Sequence, residues 1–249
     1  MWLAIIIFII GLVVGSFLNV VIYRMRELHT VIATRSHCPK CKREIAWYDL
    51  IPFLSFLILK TRCRVCGKPI SWQYPLVEIG TACLFLALYW KFGLSVSLFF
   101  SSLVSTFLIV IFVYDLKTML IPDEMLYPAI VITLIYLAFG SASNFKFSLY
   151  GVLIAVGFLG IIYLIGRGKW MGFGDVKLAV LLGLVSPFPE IFVTLFSAFL
   201  IGSIVGILMI IVGKKTFKSE IPFGPFLILG LYISIFWGEK ILGWYLNMI

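Results

Sequence analysis

Long stretches without a charged side chain restrict this sequence to one type of architecture. The first 23 residues carry no charge, and seven further apolar stretches follow the polar segment that ends at residue 74. About 20 consecutive apolar residues allow a helix to cross a bilayer. The chain has 249 residues, of which 62% are hydrophobic and 12% charged. This balance excludes a water-soluble globule, which would lack polar surface, and it also excludes a disordered chain.

The apolar stretches predict an all-α polytopic membrane protein with about eight transmembrane helices. The predicted ranges are 2–22, 75–92, 95–114, 124–140, 147–166, 176–188, 190–212 and 224–246. The range 176–188 is short for a span, and only Pro187 and Pro189 separate it from the next one.

The distribution of Lys and Arg predicts the orientation of these helices. Arg24 is the first charged residue and follows the first apolar stretch, whereas a secretory signal has its basic residues before the apolar run. We therefore expect a retained first helix and an N-terminus outside the cell. On this map 17 of the 20 basic residues lie in cytoplasmic loops, as the positive-inside rule requires, and both termini are outside. The net charge of +9 thus reflects topology and not binding to nucleic acid.

One change of composition divides the chain into three predicted parts. These are a first transmembrane helix at 1–23, a cytoplasmic cysteine-rich domain at 24–74 and a seven-helix membrane domain at 75–249. Within the polar segment, residues 50–59 are apolar but too few to span a bilayer. We expect them to lie in the membrane interface.

Four cysteines of the polar segment form two pairs with 21 residues between them. They are Cys38 and Cys41, followed by Cys63 and Cys66. Two such pairs supply four thiolates in a tetrahedron, which is the usual closed structural zinc site, and Gly67 suits a left-handed turn beside sulfur. Two alternatives stay open. A quinone-linked thiol oxidant would need the pairs on the oxidising face, and reduced thiols would have no role.

The scarcity of histidine excludes several catalytic classes from the membrane part. The two histidines, His29 and His37, both lie in the polar segment, and no His-Glu-x-x-His motif occurs. Zinc proteolysis and Ser–His or Cys–His catalysis within the helices are therefore excluded. Carboxylates remain as candidates, because an acid at membrane depth is costly and marks a functional site.

Two aspartates lie at the ends of predicted transmembrane helices. Asp115 ends the third helix and Asp175 opens the sixth, and the map places both at the cytoplasmic edge, where they can meet. Two adjacent carboxylates share one proton, so one activates a water while the other protonates a scissile carbonyl. Gly172 and Gly174 precede Asp175 and permit close approach of backbone to a helix or a substrate. The pattern favours aspartyl proteolysis.

Other roles for these acids stay open. Asp175 can cap the helix that follows it, and Asp115 can reach the membrane surface near Lys117. We interpret Asp123 as an N-cap of the fourth span and Glu78 as a carboxylate favoured at a helix N-terminus. Two other functions also remain. One is a transporter in which the two aspartates bind a cation or relay protons, and the other is a non-catalytic zinc-bearing subunit of a secretion apparatus.

Several short motifs follow one another in a fixed order along nearly the whole chain. They occupy residues 15–24, 35–41, 47–52, 63–66, 70–71, 74–78, 115, 121–123, 172–178 and 221–225. In this order they resemble the bacterial type IV prepilin peptidases, a family of GxGD-type intramembrane aspartyl proteases that also act as N-methyltransferases.

The resemblance implies a reaction, its residues and its partners. The family cleaves prepilins and pseudopilins after a glycine, at the cytoplasmic face of the bacterial cytoplasmic membrane. Many members then N-methylate the new terminal residue with S-adenosylmethionine. The family's catalytic pair corresponds to Asp115 and Asp175, and its cysteine tetrad to the two pairs above. The expected partners are prepilin-like substrates and the lipid bilayer, without nucleic acid. Methylation rests on the resemblance alone, because residues 24–74 contain no glycine-rich methyl-donor fingerprint.

Overall fold

The computed structural model describes residues 2–25, 36–140, 142–213 and 220–248, and most of these residues are helical. The helices are α1 (Trp2–Tyr23), α2 (Leu54–Ile58), α3 (Gln73–Phe92), α4 (Val96–Thr118), α5 (Asp123–Ala138), α6 (Ala142–Ile165), α7 (Phe173–Val185), α8 (Ile191–Ile211) and α9 (Gly224–Leu246). A 3₁₀ turn at Trp47–Leu50 precedes α2. The described residues form two isolated β-bridges and no strand, so the all-α prediction is confirmed.

Each of the eight apolar stretches contains a helix, but the helices differ in length. Among the described residues, six are long and apolar enough to cross a membrane, namely α1, α3, α4, α6, α8 and α9. Helix α5 has 16 residues and α7 has 13, which correspond to about 24 Å and about 20 Å of helix. A bilayer core is about 30 Å thick, so these two helices are shorter than the core. The polytopic membrane architecture is confirmed, and six of its described helices have full spanning length.

The chain divides into two compact units, Met1–Val110 and Ile111–Ile249, with the boundary inside α4. We call them the first and the second unit. The division predicted from composition, at residues 23 and 74, follows polarity rather than packing and stays a prediction.

Glycines bring α1 and α3 of the first unit into backbone contact. A Cβ atom added at Gly11 would lie 2.5 Å from Cα of Ala82, and one added at Gly15 would lie 2.7 Å from Cα of Glu78. These two glycines are four residues apart and therefore lie on one face of α1. Small residues at this spacing allow two helix backbones to approach closely in a membrane, where dispersion and not the hydrophobic effect holds helices together.

A buried amide links the ends of the same two helices. Asn19, near the end of α1, is 1% exposed. Its Nδ2 donates to the carbonyl of Tyr74 at 3.1 Å, and its Oδ1 accepts from Nε2 of Gln73 at 3.3 Å. These bonds connect the chain before and after the cysteine-rich segment.

Helix α7 is the buried centre of the second unit. It contacts α5, α6, α8 and α9. A Cβ added at Gly183 would lie 2.4 Å from the backbone nitrogen of Val152, so α6 and α7 also touch through backbone. The fully buried side chains of α7 are Leu178, Ala179, Leu181 and Leu182.

Hydroxyl groups attach the C-terminal end of α7 to α8 and α9. Oγ of Ser186 lies 3.1 Å from Oγ of Ser234 and accepts a hydrogen bond from the Thr194 hydroxyl at 2.9 Å. The Ser234 hydroxyl donates to the carbonyl of Glu190, also at 2.9 Å. All three hydroxyl-bearing residues are buried. Because buried hydroxyls without partners are costly, this network fixes where α7 ends.

The close contact at Gly11 predicts a destabilising effect of one methyl group. Gly11→Ala should lower the stability of the protein by about 1–3 kcal/mol, because the new methyl meets the Ala82 backbone, which cannot rotate away. Thermal unfolding of the detergent-solubilised protein measures this change. The matched control is Gly80→Ala in α3, where a Cβ has nothing within 4 Å. It should unfold at or above the wild-type temperature, since Ala favours a helix over Gly. Equal effects of the two substitutions would contradict the packing described here.

Candidate active site and metal centre

Asp115 lies buried near the end of α4, with 4% of its surface exposed. Its carboxylate accepts a hydrogen bond from the backbone N–H of Gly224, the first residue of α9. A Cβ added at Gly224 would lie only 2.5 Å from Oδ2 of Asp115. Within the described residues this Oδ2 is buried and has no hydrogen-bond partner. Such an atom is rare in proteins.

Asp175 is the third residue of α7 and is also buried, with 7% exposed. Its backbone N–H donates to the carbonyl of Gly172, the N-cap of the helix, at 3.2 Å. The N–H of Gly172 in turn hydrogen-bonds the Asp175 carboxylate. The second of these bonds, in which the side chain of the third helical residue accepts from the N–H of the N-cap, is one half of a capping box. The N-cap role considered for Asp175 is therefore wrong by three positions.

The two aspartates lie within electrostatic reach of each other, although 59 residues separate them in sequence. Ile121 fills the space beside them. Added Cβ atoms at Gly174 and Gly224 would lie 3.3 Å and 3.5 Å from its side chain. The expected meeting of Asp115 and Asp175 is thus a feature of the second unit. Their catalytic role, and that of Gly172 and Gly174, stays a prediction.

An ion pair joins α5 to α7 close to Asp175. The ammonium group of Lys177 binds Oδ1 of Asp123. It also lies 6.0 Å from the ring centre of Phe173. Asp123 is the first residue of α5, and the N-cap is Pro122, so the N-cap interpretation of Asp123 is wrong.

Two contacts in the structure were not predicted from local sequence patterns. One is the N–H of Gly224 on Asp115, and the other is the ion pair of Asp123 and Lys177. Both Gly224 and Asp123 lie inside motifs noted above, so their positions were visible. Their partners were not, because each contact joins different helices.

The four cysteines come together in the first unit. The sulfur atoms of Cys38, Cys41, Cys63 and Cys66 all lie within 4.8 Å of one another. A tetrahedral ion about 2.3 Å from each sulfur requires sulfur–sulfur distances of about 3.8 Å. The cluster can therefore hold a metal ion with minor adjustment, which agrees with the predicted ligand set.

The two cysteine pairs have the same backbone geometry. In each pair the first cysteine bonds, through its N–H and its carbonyl, to the residues five and four positions later. The four bonds are Cys38 N–H to Arg43, Lys42 N–H to Cys38, Cys63 N–H to Lys68 and Gly67 N–H to Cys63, all 2.9 Å long. Lys42 and Gly67 occupy the same left-handed position, with φ of 61° and 66°. Glycine adopts this conformation freely, whereas lysine is strained in it by about 1 kcal/mol.

Backbone amides and an ion pair surround the second pair. The backbone N–H groups of Cys66 and Val65 lower the pKa of the Cys63 thiol to about 7. Arg64, between these cysteines, forms a bidentate ion pair with Asp49, with nitrogen–oxygen distances of 2.7 Å and 2.9 Å. Its hydrogen bonds to that carboxylate raise the pKa of Arg64 further. The second pair is thus tied to the 3₁₀ turn at Trp47–Leu50.

Family models cover most of the chain. A model described as Bacterial Peptidase A24 N-terminal domain matches residues 9–92. A second model, described as Type IV leader peptidase family, matches residues 102–207. The second match contains both Asp115 and Asp175, and the first contains the four cysteines.

Similar proteins are found in several bacteria. A "Prepilin leader peptidase/N-methyltransferase" of Bacillus subtilis (strain 168) is 34% identical over 247 residues, which cover 98% of this chain and 98% of that protein. Proteins with the same name are 31% identical in Pseudomonas putida, over 94% of this chain and 90% of theirs, and 32% identical in Legionella pneumophila, over 95% and 92%. No solved structure matches this chain.

Proposed function

We propose that this chain, which belongs to the type IV leader peptidase family, is an aspartyl endopeptidase of the membrane that removes the leader peptide of prepilins or pseudopilins after a glycine. The observation that carries the proposal is the buried pair of Asp115 and Asp175, each of which is the one acidic residue of its helix. The names of relatives matched over nearly their full length support the substrate class.

The proposed mechanism uses one carboxylate as base and the other as acid. Asp175 lies in the first turn of its own helix, a position that favours a negative charge, whereas Asp115 lies near the C-terminal end of α4, so we assign Asp175 to activate the attacking water. Asp115 holds the shared proton on its unpartnered Oδ2 and donates it to the scissile carbonyl. The water loses its proton to Asp175. When the tetrahedral intermediate collapses, the carbon–nitrogen bond breaks, that proton passes to the leaving nitrogen, and one hydroxyl of the intermediate returns its proton to Asp115.

The membrane location of the site is part of the proposal. We place the enzyme in the bacterial cytoplasmic membrane as a multi-pass protein, with both termini outside and both aspartates at the cytoplasmic face. Support comes from the six apolar helices and from the concentration of basic residues in the loops of that face.

We further propose that the four cysteines bind structural zinc. Four thiolates form the common closed zinc site, and a closed site supports folding rather than catalysis. Residues Cys38, Cys41, Cys63 and Cys66 would hold the ion and thereby fix the two pairs to each other.

N-methylation of the new terminus is the second proposed activity, with S-adenosylmethionine as methyl donor. It is supported by the names of the relatives. The described residues form no β-α-β unit of the kind that binds such donors, so we assign the donor to no residues.

The first prediction concerns the two carboxylates. Asp115→Asn and Asp175→Asn should each reduce cleavage of a prepilin-like substrate by about 10²–10⁴-fold, because asparagine keeps the size but neither gives nor takes the proton. Cleavage by membranes that contain equal amounts of inserted protein measures the effect. Glu124→Gln is the matched control, since Glu124 is an exposed acid beside Asp123, and it should cleave at the wild-type rate. A wild-type rate for either aspartate variant would refute the proposed role and favour the transporter hypothesis.

The second prediction concerns the glycine that touches Asp115. Gly224→Ala should abolish most cleavage, because its methyl would lie 2.5 Å from the carboxylate oxygen and must displace it. Gly243→Ala in the same helix has nothing within 4 Å of the added atom and should retain activity. Cleavage and thermal unfolding are measured together. Lost activity with wild-type stability is expected for Gly224→Ala, and unchanged activity would contradict the site geometry.

The third prediction concerns zinc. Purified protein should contain zinc, and Cys63→Ser should lose it. Gly67→Ala should release zinc to a chelator faster than wild type, since alanine is strained in the left-handed position, and Lys42→Gly should release it more slowly because it removes such strain. Zinc release is followed with a colorimetric chelator. Equal release rates for these two variants would argue against the shared geometry of the pairs.

A further inference from the structure

The short helix α2 exposes large apolar side chains on a segment between two membrane helices. Leu54, Leu57 and Ile58 are 54%, 55% and 71% exposed, although all three are aliphatic. Phe56 faces inward and packs against the ring of Trp72, with ring centres 5.1 Å apart. Exposed apolar clusters of this kind mark a surface that another phase or molecule covers.

A hydrogen bond holds the start of α2 beside α3. The backbone N–H of Phe53, immediately before α2, donates to Oε2 of Glu78 at 2.8 Å. Glu78 lies five residues into α3, which is about 7 Å along the helix axis from its first residue. The 20 residues of α3 make a helix of about 30 Å, which is only as long as the bilayer core is thick. The Phe53 backbone therefore lies beside the first turns of α3, a helix that is long and apolar enough to cross a membrane. The helix N-terminus interpretation of Glu78 is thus replaced by a tertiary contact.

The backbone around α2 is suited to a lipid environment. Ser55 N–H bonds to the Ile51 carbonyl, Leu57 N–H to Phe53 and Leu59 N–H to Ser55. The Ser55 hydroxyl also donates to the Ile51 carbonyl, at 2.7 Å. Backbone groups at membrane depth must be paired within the protein, and Glu78 provides the partner for the N–H that precedes the helix.

The residues around α2 match the chemistry of a lipid headgroup layer. Lys60 and Arg62 follow the helix and are exposed. Trp47 and Trp72, on either side of it in sequence, are exposed as well. Tryptophan prefers the boundary between headgroups and acyl chains, and basic side chains bind anionic lipid phosphates. Leu76, two residues before Glu78 in α3, is exposed as well.

We propose that α2 is an interfacial anchor that inserts Leu54, Leu57 and Ile58 among lipid acyl chains beside the start of α3, with Lys60 and Arg62 at the headgroups. Glu78 is the residue that holds this anchor at its depth. The anchor ties the four-cysteine segment to the bilayer surface by a contact additional to its two covalent connections.

Photocrosslinking of the full-length protein in nanodiscs tests the anchor. Benzoylphenylalanine replaces Ile58, or Ile9 of α1 as the lipid-facing reference, or Val65 between the second cysteine pair as the exposed reference of the same segment. Nanodiscs contain phosphatidylcholine and phosphatidylglycerol, and mass spectrometry identifies the adducts. Position 58 should give lipid adducts in a yield close to that of position 9 and several times that of position 65. A yield no higher than at position 65, or adducts to a second protein chain, would overturn the proposal.

Variants of Glu78 test whether the bond between Glu78 and Phe53 sets the lipid contact of position 58. Glu78→Leu removes the acceptor for the Phe53 N–H and should lower lipid adducts at position 58, whereas Glu78→Gln keeps a carbonyl acceptor and should retain them. Adducts at position 9 should not change in either variant, which shows that α1 is still inserted. Unchanged adducts at position 58 in Glu78→Leu would show that Glu78 does not set the depth. Cleavage activity is not the readout, so the result is independent of the proposed enzyme function.

Discussion

Two buried carboxylates in one place need hydrogen-bond donors, and the kind of donor decides what they can do. Asp115 receives the N–H of Gly224 and Asp175 that of Gly172, each at the start of a helix. Backbone amides are polar but uncharged, so they hold a carboxylate without fixing it in the ionised form as a bound cation would. The nearby cation, Lys177, is bound to Asp123 instead. Because amides hold the two aspartates and Lys177 is bound elsewhere, Asp115 and Asp175 can exchange a proton, as the proposed mechanism requires.

Backbone-to-backbone packing keeps these donors in position. The N–H groups of Gly172 and Gly224 stay within reach of the carboxylates only if α7 and α9 do not slide along their neighbours. In the second unit α6 and α7 touch at Gly183, and an atom added at Gly230 of α9 would lie 2.3 Å from the carbonyl of Thr194 in α8. Contacts between backbones lack the rotamer freedom of side-chain contacts, so they fix helix positions more narrowly.

Local patterns predicted the helices and the candidate residues, whereas long-range partners could not be predicted. Runs of apolar residues identify helices because the bilayer imposes one requirement everywhere. The spacing within each cysteine pair likewise predicts a cluster, which the sulfur atoms of the structure form. The lengths of α5 and α7, the Gly224 contact and the Glu78–Phe53 bond depend on which helices are neighbours. Asp123 shows the difference clearly, because local capping rules favoured an N-cap while a lysine 54 positions away binds the carboxylate.

The reciprocal bonds between Asp175 and Gly172 connect acid–base chemistry to the order of a helix end. A negative charge in the first turn stabilises a helix by about 0.3–1 kcal/mol. When the proposed base takes up a proton, this stabilisation and one acceptor of the Gly172 N–H are lost for the duration of the intermediate. On the proposed mechanism, the first turn of α7 is therefore less stable while Asp175 carries the proton, and it regains that stability when the proton leaves. The protonation state of the base and the stability of this helix end would then change together in each turnover.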